Sequence, residues 1–265
     1  MREISLEEQK KIMLDILLDF DKVCRKNDIG YSLAWGTLLG AVRHRGFIPW
    51  DDDIDVLVTR ENYNKIRNKM NGELSENHRF ICVENEKRFS APLAKVIDKN
   101  TVLKQVGHNS DKIDLGVYVD VFVLDYIPTE TRKREKIFRK SVLLQKIWSF
   151  SGNNYDSSRL LYLLRSLANK LPIARNTALY ANKWAENLEE DSSLMASILF
   201  GEPDRSKEVM EYSDINDLAE YEFEGHLFLG VKDYDKYLKQ WYGDYMKLPP
   251  EDQRVSNHST IVFKK

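Results

Sequence analysis

Cysteine is nearly missing from this chain of 265 residues: Cys24 and Cys82 stand far apart and without metal-ligand spacing. A disulfide framework is therefore excluded, and both positions fall in apolar patterns that predict buried free thiols. Long apolar runs are missing too. No stretch approaches a membrane span, and Met1-Arg2-Glu3-Ile4-Ser5 has no signal-peptide core, so a soluble cytoplasmic protein is expected. There is no flexible Gly/Ser linker, internal repeat or low-complexity tract, which leaves domain boundaries soft. Histidine is sparse and unpaired in sequence: His78, His108, His226 and His258 suggest neither a metal site nor a triad.

Charge is present in abundance and is segregated. Between Thr131 and Arg175, eleven Lys/Arg face two acids, a local +9 that leaves −11 on the remainder of a chain whose net charge is −2. A basic block within an acidic protein suits an anionic partner such as a pyrophosphate-linked substrate or lipid headgroups; a solvated helical face is the plain alternative. No nucleic-acid reading motif accompanies the block, so nucleic acid is not expected as a partner.

Apolar spacing divides the chain. Met13, Ile16, Leu17, Phe20 and Cys24 at three- and four-residue steps predict a helix over 6–26, opened by a Ser5/Glu8 capping box. A short strand at 31–35 leads into helical 37–42, then a basic loop, an acidic strand at 53–58 and a helix near 61–70. Further strands are expected near 79–84, 92–98 and 101–106, and another at 116–123, where Val117, Val119, Val121 and Val123 share one face and Tyr118, Asp120 and Phe122 the other. From 131 to 190 the signal is helical, with one stripe at Phe138, Val142, Gln145 and Trp148 and a leucine-rich one at 160–171. The expected organisation is an acidic core over 1–130, a basic helical segment over 131–200, and a segment at 201–265 that returns to the core.

The chemistry lies where carboxylates interrupt apolar strands. Asp53 and Asp55, two apart on a strand, would point the same way with Cα atoms about 6.5 Å apart. Carboxylates entering a buried strand need a compensating charge, and a hard divalent cation, Mg²⁺ or Mn²⁺, supplies it and brings phosphate with it. Asp120, breaking an apolar pattern in mid-strand, is the best third ligand. Asp51 and Asp52 read as a solvated turn. Gly36-Thr37, where a strand gives way to a helix, is suited to phosphate, because helix N-terminal amides favour anions and glycine allows close approach.

The run Trp35-Gly36-Thr37-Leu38-Leu39-Gly40-Ala41-Val42-Arg43-His44-Arg45-Gly46-Phe47-Ile48-Pro49-Trp50-Asp51-Asp52-Asp53-Ile54-Asp55 closely resembles the signature of the LicD family. The likeness continues at Gly116–Phe122, at Phe223-Glu224-Gly225 and at Tyr242–Pro250. The resemblance implies an α+β fold: a nucleotidyltransferase-like mixed sheet core with flanking helices, here carrying a basic helical insertion. It implies nucleotide phosphates at Gly36-Thr37, metal at Asp53, Asp55 and Asp120, CDP-choline as donor, CMP as leaving group, and a sugar hydroxyl of a teichoic acid, lipopolysaccharide or related glycan as acceptor. The superfamily spacing from glycine to aspartate is shorter, so the loop at 43–50 is an insertion shared with LicD-type proteins.

Arg43 and His44 precede the acids and could neutralise donor phosphates; Arg45 reads equally well as an exposed turn. Lys95 is either an edge-strand lysine or a phosphate ligand. Glu224 is a candidate acid for the substrate pocket. A choline headgroup asks for aromatic faces, and Trp35, Trp50, Tyr118, Phe122, Trp241, Tyr242 and Tyr245 are all available without the sequence choosing among them. The basic helices at 131–175 suit an acceptor tethered to a lipid carrier at the inner membrane face, although packing against the core explains their stripes as well. The expected activity is Mg²⁺-dependent phosphocholine transfer. The alternatives are a nucleotidyltransferase releasing pyrophosphate, or an inactive binding protein of the same fold.

Overall fold

The computed structural model describes residues 1–105, 115–150, 168, 170–188, 192–199, 205–255 and 260–265. After a two-residue strand β1 (Arg2–Glu3), helix α1 (Leu6–Lys26) starts where expected. The Ser5 hydroxyl accepts from the Glu8 amide at 3.2 Å while the Glu8 carboxylate accepts from the Ser5 amide at 3.1 Å, satisfying two otherwise orphaned donors. The apolar stripe of α1 is buried, and Lys10 is buried with it.

The chain continues through β2 (Ser32–Leu33), α2 (Trp35–His44), β3 (Asp55–Thr59), α3 (Arg60–Glu73), β4 (His78–Ile81), β5 (Ala94–Asp98), β6 (Thr101–Gln105) and the long β7 (Tyr118–Ile127). The main sheet runs in the order β2-β3-β7-β5-β4. The β3–β7 pair is parallel and the neighbouring pairs antiparallel, so the sheet is mixed. Alternation along β7 follows the sequence expectation: Val119, Val121 and Val123 are buried, whereas Tyr118, Asp120 and Phe122 keep partial exposure. Helices α1 and α3 pack on the sheet and close the main core.

His78 has a structural partner: its Nδ1 lies 2.8 Å from Asp19 Oδ2, joining β4 to α1. His108 and His258 lie outside the described residues. Both cysteines are buried free thiols.

Beyond the sheet come α4 (Thr131–Phe150), α5 (Ile173–Glu186), β8 (Leu194–Ala196), β9 (Met210–Glu211), α6 (Tyr212–Asn216), β10 (Leu218–Phe223), β11 (His226–Val231), α7 (Tyr234–Tyr242) and β12 (Thr260–Lys264). Helices α4 and α5 pack together around a second apolar cluster that includes Ile127, Ala181, Ala185 and Ile198. The α4 stripe faces the protein: Phe138 joins that cluster, Gln145 donates to Leu199 O at 3.0 Å, and Trp148 donates to Ser90 O at 2.7 Å. The leucines expected as a helix at 160–167 lie outside the described residues, while Leu171 is exposed. No helix among the described residues is long and apolar enough to cross a membrane.

Candidate active site

The acids gather at one end of the β3–β7 pair. Asp55 opens β3 and stands in register with Asp120 on β7, and Asp120 stands in register with Lys95 on β5. A row Lys95–Asp120–Asp55 therefore crosses three strands on the face away from the buried valines. Lys95 Nζ forms an ion pair with Asp120 Oδ1 and lies 3.4 Å from the centre of the Tyr118 ring. Of the two readings of Lys95, the structure rules out the water-facing edge residue: its ammonium is buried against the acid row.

Asp53 departs from expectation. Strand β3 begins only at Asp55, so the two aspartates do not alternate along one regular strand. The reason is the shortness of β2, which pairs only with Val56 and Leu57 before Ala34 N–H, donating to Asp55 O at 3.0 Å, turns the chain into α2. Asp53 still reaches the group electrostatically. Burial, followed by the charges of Asp53 and Asp120, pushes the Asp55 carboxyl well above the ordinary carboxylate range, with Lys95 only partly offsetting them.

Asp51 corrects the idea of a solvated turn. It is half-buried, burial raises its carboxyl, and it shares a side-chain hydrogen bond with Asp53. With Asp52 and Asp53 it lines a cleft of about 360 Å³ whose other walls include Gly36, Arg43, Trp50 and Tyr242. Gly36 has a specific reason to be glycine: a Cβ there would lie 2.9 Å from Asp51 Oδ2.

Thr37 is buried, and its hydroxyl accepts from Asp55 N–H at 2.9 Å, so it fixes the head of β3 to α2. Trp35 just before it adopts φ 39°, a left-handed conformation costly for a bulky residue. Its N–H donates to Tyr237 Oη at 3.1 Å, and its ring meets Phe122 and Trp241 edge-on at 4.7 and 5.6 Å. Arg43 and His44 belong to α2, not to a loop; Arg43 lines the cleft, donating to Tyr245 O at 2.7 Å and to His44 Nε2 at 3.0 Å. These bonds use two of the five guanidinium donors. Burial lowers the pKa of both Arg43 and His44. Arg45 caps α2 with φ 56° and is exposed, as its plain reading held.

Glu224 is not brought to the cleft. It sits at the β10–β11 turn with φ 52°, ahead of Gly225 at φ 77°, and its carboxylate accepts from Phe47 N–H at 3.0 Å. It braces the inserted loop, and Gly46 is small enough to let it do so.

Two residues were not anticipated. Lys10 of α1 donates to Pro49 O at 2.9 Å and to Ile48 O at 3.4 Å, holding the turn that delivers Asp51–Asp53. A lysine inside an otherwise apolar stripe was the available signal. Asp125 forms a buried two-point ion pair with Arg60 at 2.6 and 3.0 Å, and nothing local to either residue reveals the other.

The donors suit a hard cation: all are carboxylate oxygens, crowded enough that burial and neighbouring carboxylates raise Asp55 and burial raises Asp51. As their side chains stand, no three His, Cys, Asp or Glu among the described residues enclose an ion, and Lys95 is the cation that Asp120 meets.

Residues 28–140 match the LicD/FKTN/FKRP nucleotidyltransferase domain. The lipopolysaccharide cholinephosphotransferase LicD of Haemophilus influenzae is 30% identical over 266 residues, covering 97% of each chain. Uncharacterized proteins of Rickettsia typhi and Rickettsia prowazekii are 40% and 44% identical over 62 residues, 23% of this chain and 20% and 23% of theirs. With a mixed sheet carrying the acid row and a relative aligned along nearly its whole length, the chain belongs to the LicD family.

Proposed function

We propose that the protein transfers phosphocholine from CDP-choline to a sugar hydroxyl of a cell-surface glycan precursor, of lipopolysaccharide or teichoic acid type, and releases CMP. The observation that carries this reading is the Asp55–Asp120 register pair, close enough to the cleft-lining Asp51 and Asp53 for their charges to raise Asp55. Asp53, Asp55 and Asp120 would hold Mg²⁺ or Mn²⁺, which when bound aligns the donor phosphates and offsets charge on the leaving group. Arg43, on the cleft wall, meets phosphate oxygens with its remaining donors. The acceptor oxygen forms a bond to the choline-bearing phosphorus as the bond to CMP breaks, and the hydroxyl proton passes to a carboxylate of the row. Transfer of this kind needs positioning and charge compensation more than covalent help.

Incubation with Mg²⁺, CDP-choline and glycan acceptor should release CMP, and Asp53→Asn should abolish that release with the circular dichroism spectrum unchanged. Pyrophosphate release from CTP without CMP from CDP-choline would favour a nucleotidyltransferase instead.

The acceptor is proposed to ride on a lipid carrier. Arg132, Lys133, Lys136, Arg139 and Lys146 of α4 are exposed, together with Leu143, as contact with an anionic bilayer surface requires. Flotation with anionic liposomes should weaken when residues 132–140 are charge-reversed; equal flotation would remove this part of the reading.

A further inference from the structure

The tertiary structure sorts the aromatic residues that the sequence left equivalent. The Trp35 ring is met by Phe122 and Trp241, and Trp241 also by Tyr237. Tyr118 lies under Lys95 Nζ, and Tyr245 Oη donates to Asp235 at 2.9 Å. Trp50 differs. It lines the cleft, it is half-buried, and its ring carries a guanidinium: Arg254 Cζ stands 5.7 Å from the ring centre. Arg254 is anchored through Nε to Pro249 O at 2.9 Å, on a stretch whose Pro249, Gln253 and Val255 form part of the same cleft wall. Tyr242 and Asp244 line the cleft as well.

An indole face that already holds one cation can hold another of similar size and weak hydration. A quaternary ammonium has no hydrogen-bond donor, so an aromatic face with a carboxylate nearby is the receptor it prefers. We propose that the Trp50 face, in a cleft it shares with Tyr242 and Asp244, is the subsite for the substrate's quaternary ammonium, and that Arg254 occupies it until the substrate displaces it. The proposal rests on the phosphocholine reading for its ligand. It adds two residues of opposite effect: Trp50 binds the headgroup, and Arg254 competes with it.

The test measures KM for CDP-choline and for its neutral carbon isostere, the CDP ester of 3,3-dimethylbutanol, together with binding of free choline followed by NMR. Trp50→Leu should raise the KM for CDP-choline roughly ten-fold and leave the isostere nearly unchanged, the difference expected of a desolvated cation–π contact. Trp50→Phe should retain part of the discrimination and guards against a folding defect. Arg254→Ala should lower the KM for CDP-choline and strengthen choline binding, an outcome that loss of a merely structural contact would not produce. The proposal is overturned if Trp50→Leu affects both donors equally, if Arg254→Ala weakens choline binding, or if the wild-type protein binds no choline. Choline binding that depends on Trp50, without CMP release by the wild type, would instead overturn the transfer reading and uphold the cation site.

Discussion

Strand β7 carries two aspartates five residues apart with opposite fates. Asp125 lies on the face buried with Val121 and Val123, where Arg60 from α3 meets it with two hydrogen bonds and both side chains are nearly inaccessible. Asp120 lies on the opposite face, beside Asp55, which Asp53 also reaches electrostatically, with Lys95 as the one cation of the row. At the first position the protein completes its own charge balance. At the second it leaves an excess of carboxylate, which costs stability and which, on the proposed reading, a divalent cation would offset. An odd offset along one strand thus separates a structural acid from the one proposed to act in the site.

Substituting the functional end gives the largest expected effect. Asp55→Asn should reduce CMP release by at least about 10²-fold, the scale of losing a ligand to a catalytic metal. It should also stabilise the metal-free protein. The folded-state pKa of Asp55 is raised, so the native form keeps a proton that the unfolded chain releases, and native stability falls as pH rises from the ordinary carboxylate value toward the raised one. Calorimetry in EDTA between pH 4 and 8, roughly the window above the ordinary aspartate value, should show Tm of the wild type falling more steeply than that of the variant. A lower Tm for Asp55→Asn at neutral pH would make Asp55 a second Asp125 and end the comparison.

The opposite end should respond in stability. Asp125→Ala strands a buried guanidinium and should cost about 3–5 kcal/mol in urea unfolding, whereas the paired change Arg60→Met with Asp125→Leu should recover most of it. If the single and double variants were equally destabilised, the ion pair would not be the source of the loss.

Lys10→Met should have the smallest effect and sharpen the comparison from outside the sheet. The variant frees the Ile48–Pro49 turn that feeds Asp51–Asp53, and kcat/KM should fall about ten-fold, as for loss of other groups that orient ligands. Lys10→Arg, which keeps a donor at that place, should restore part of the rate, and unfolding midpoints should move little. Full activity in Lys10→Met would confine the site to the sheet and its cleft.

Much of this was legible beforehand because it is local. Helix α1 with its capping box, the valine face of β7 and the clash of Asp55 and Asp120 with their apolar surroundings all follow from side-chain period and desolvation cost, which depend on neighbours in sequence. Where expectation and structure parted, a distant element intervened. The two-residue β2 shortened β3 and left Asp53 outside the ladder. Phe47 drew Glu224 to the inserted loop. The buried Arg60 in α3 found Asp125 sixty-five positions away.

The order of residues alone therefore determined which side chains could not be comfortably solvated or comfortably buried, because polarity and periodicity are written along the chain. Tertiary structure decided which of them meet: that Asp55 faces Asp120, that Lys95 completes their row, and that Trp50 both lines the cleft and meets Arg254. Such pairings depend on strand register and on the approach of segments distant in sequence, and no local pattern contains that information.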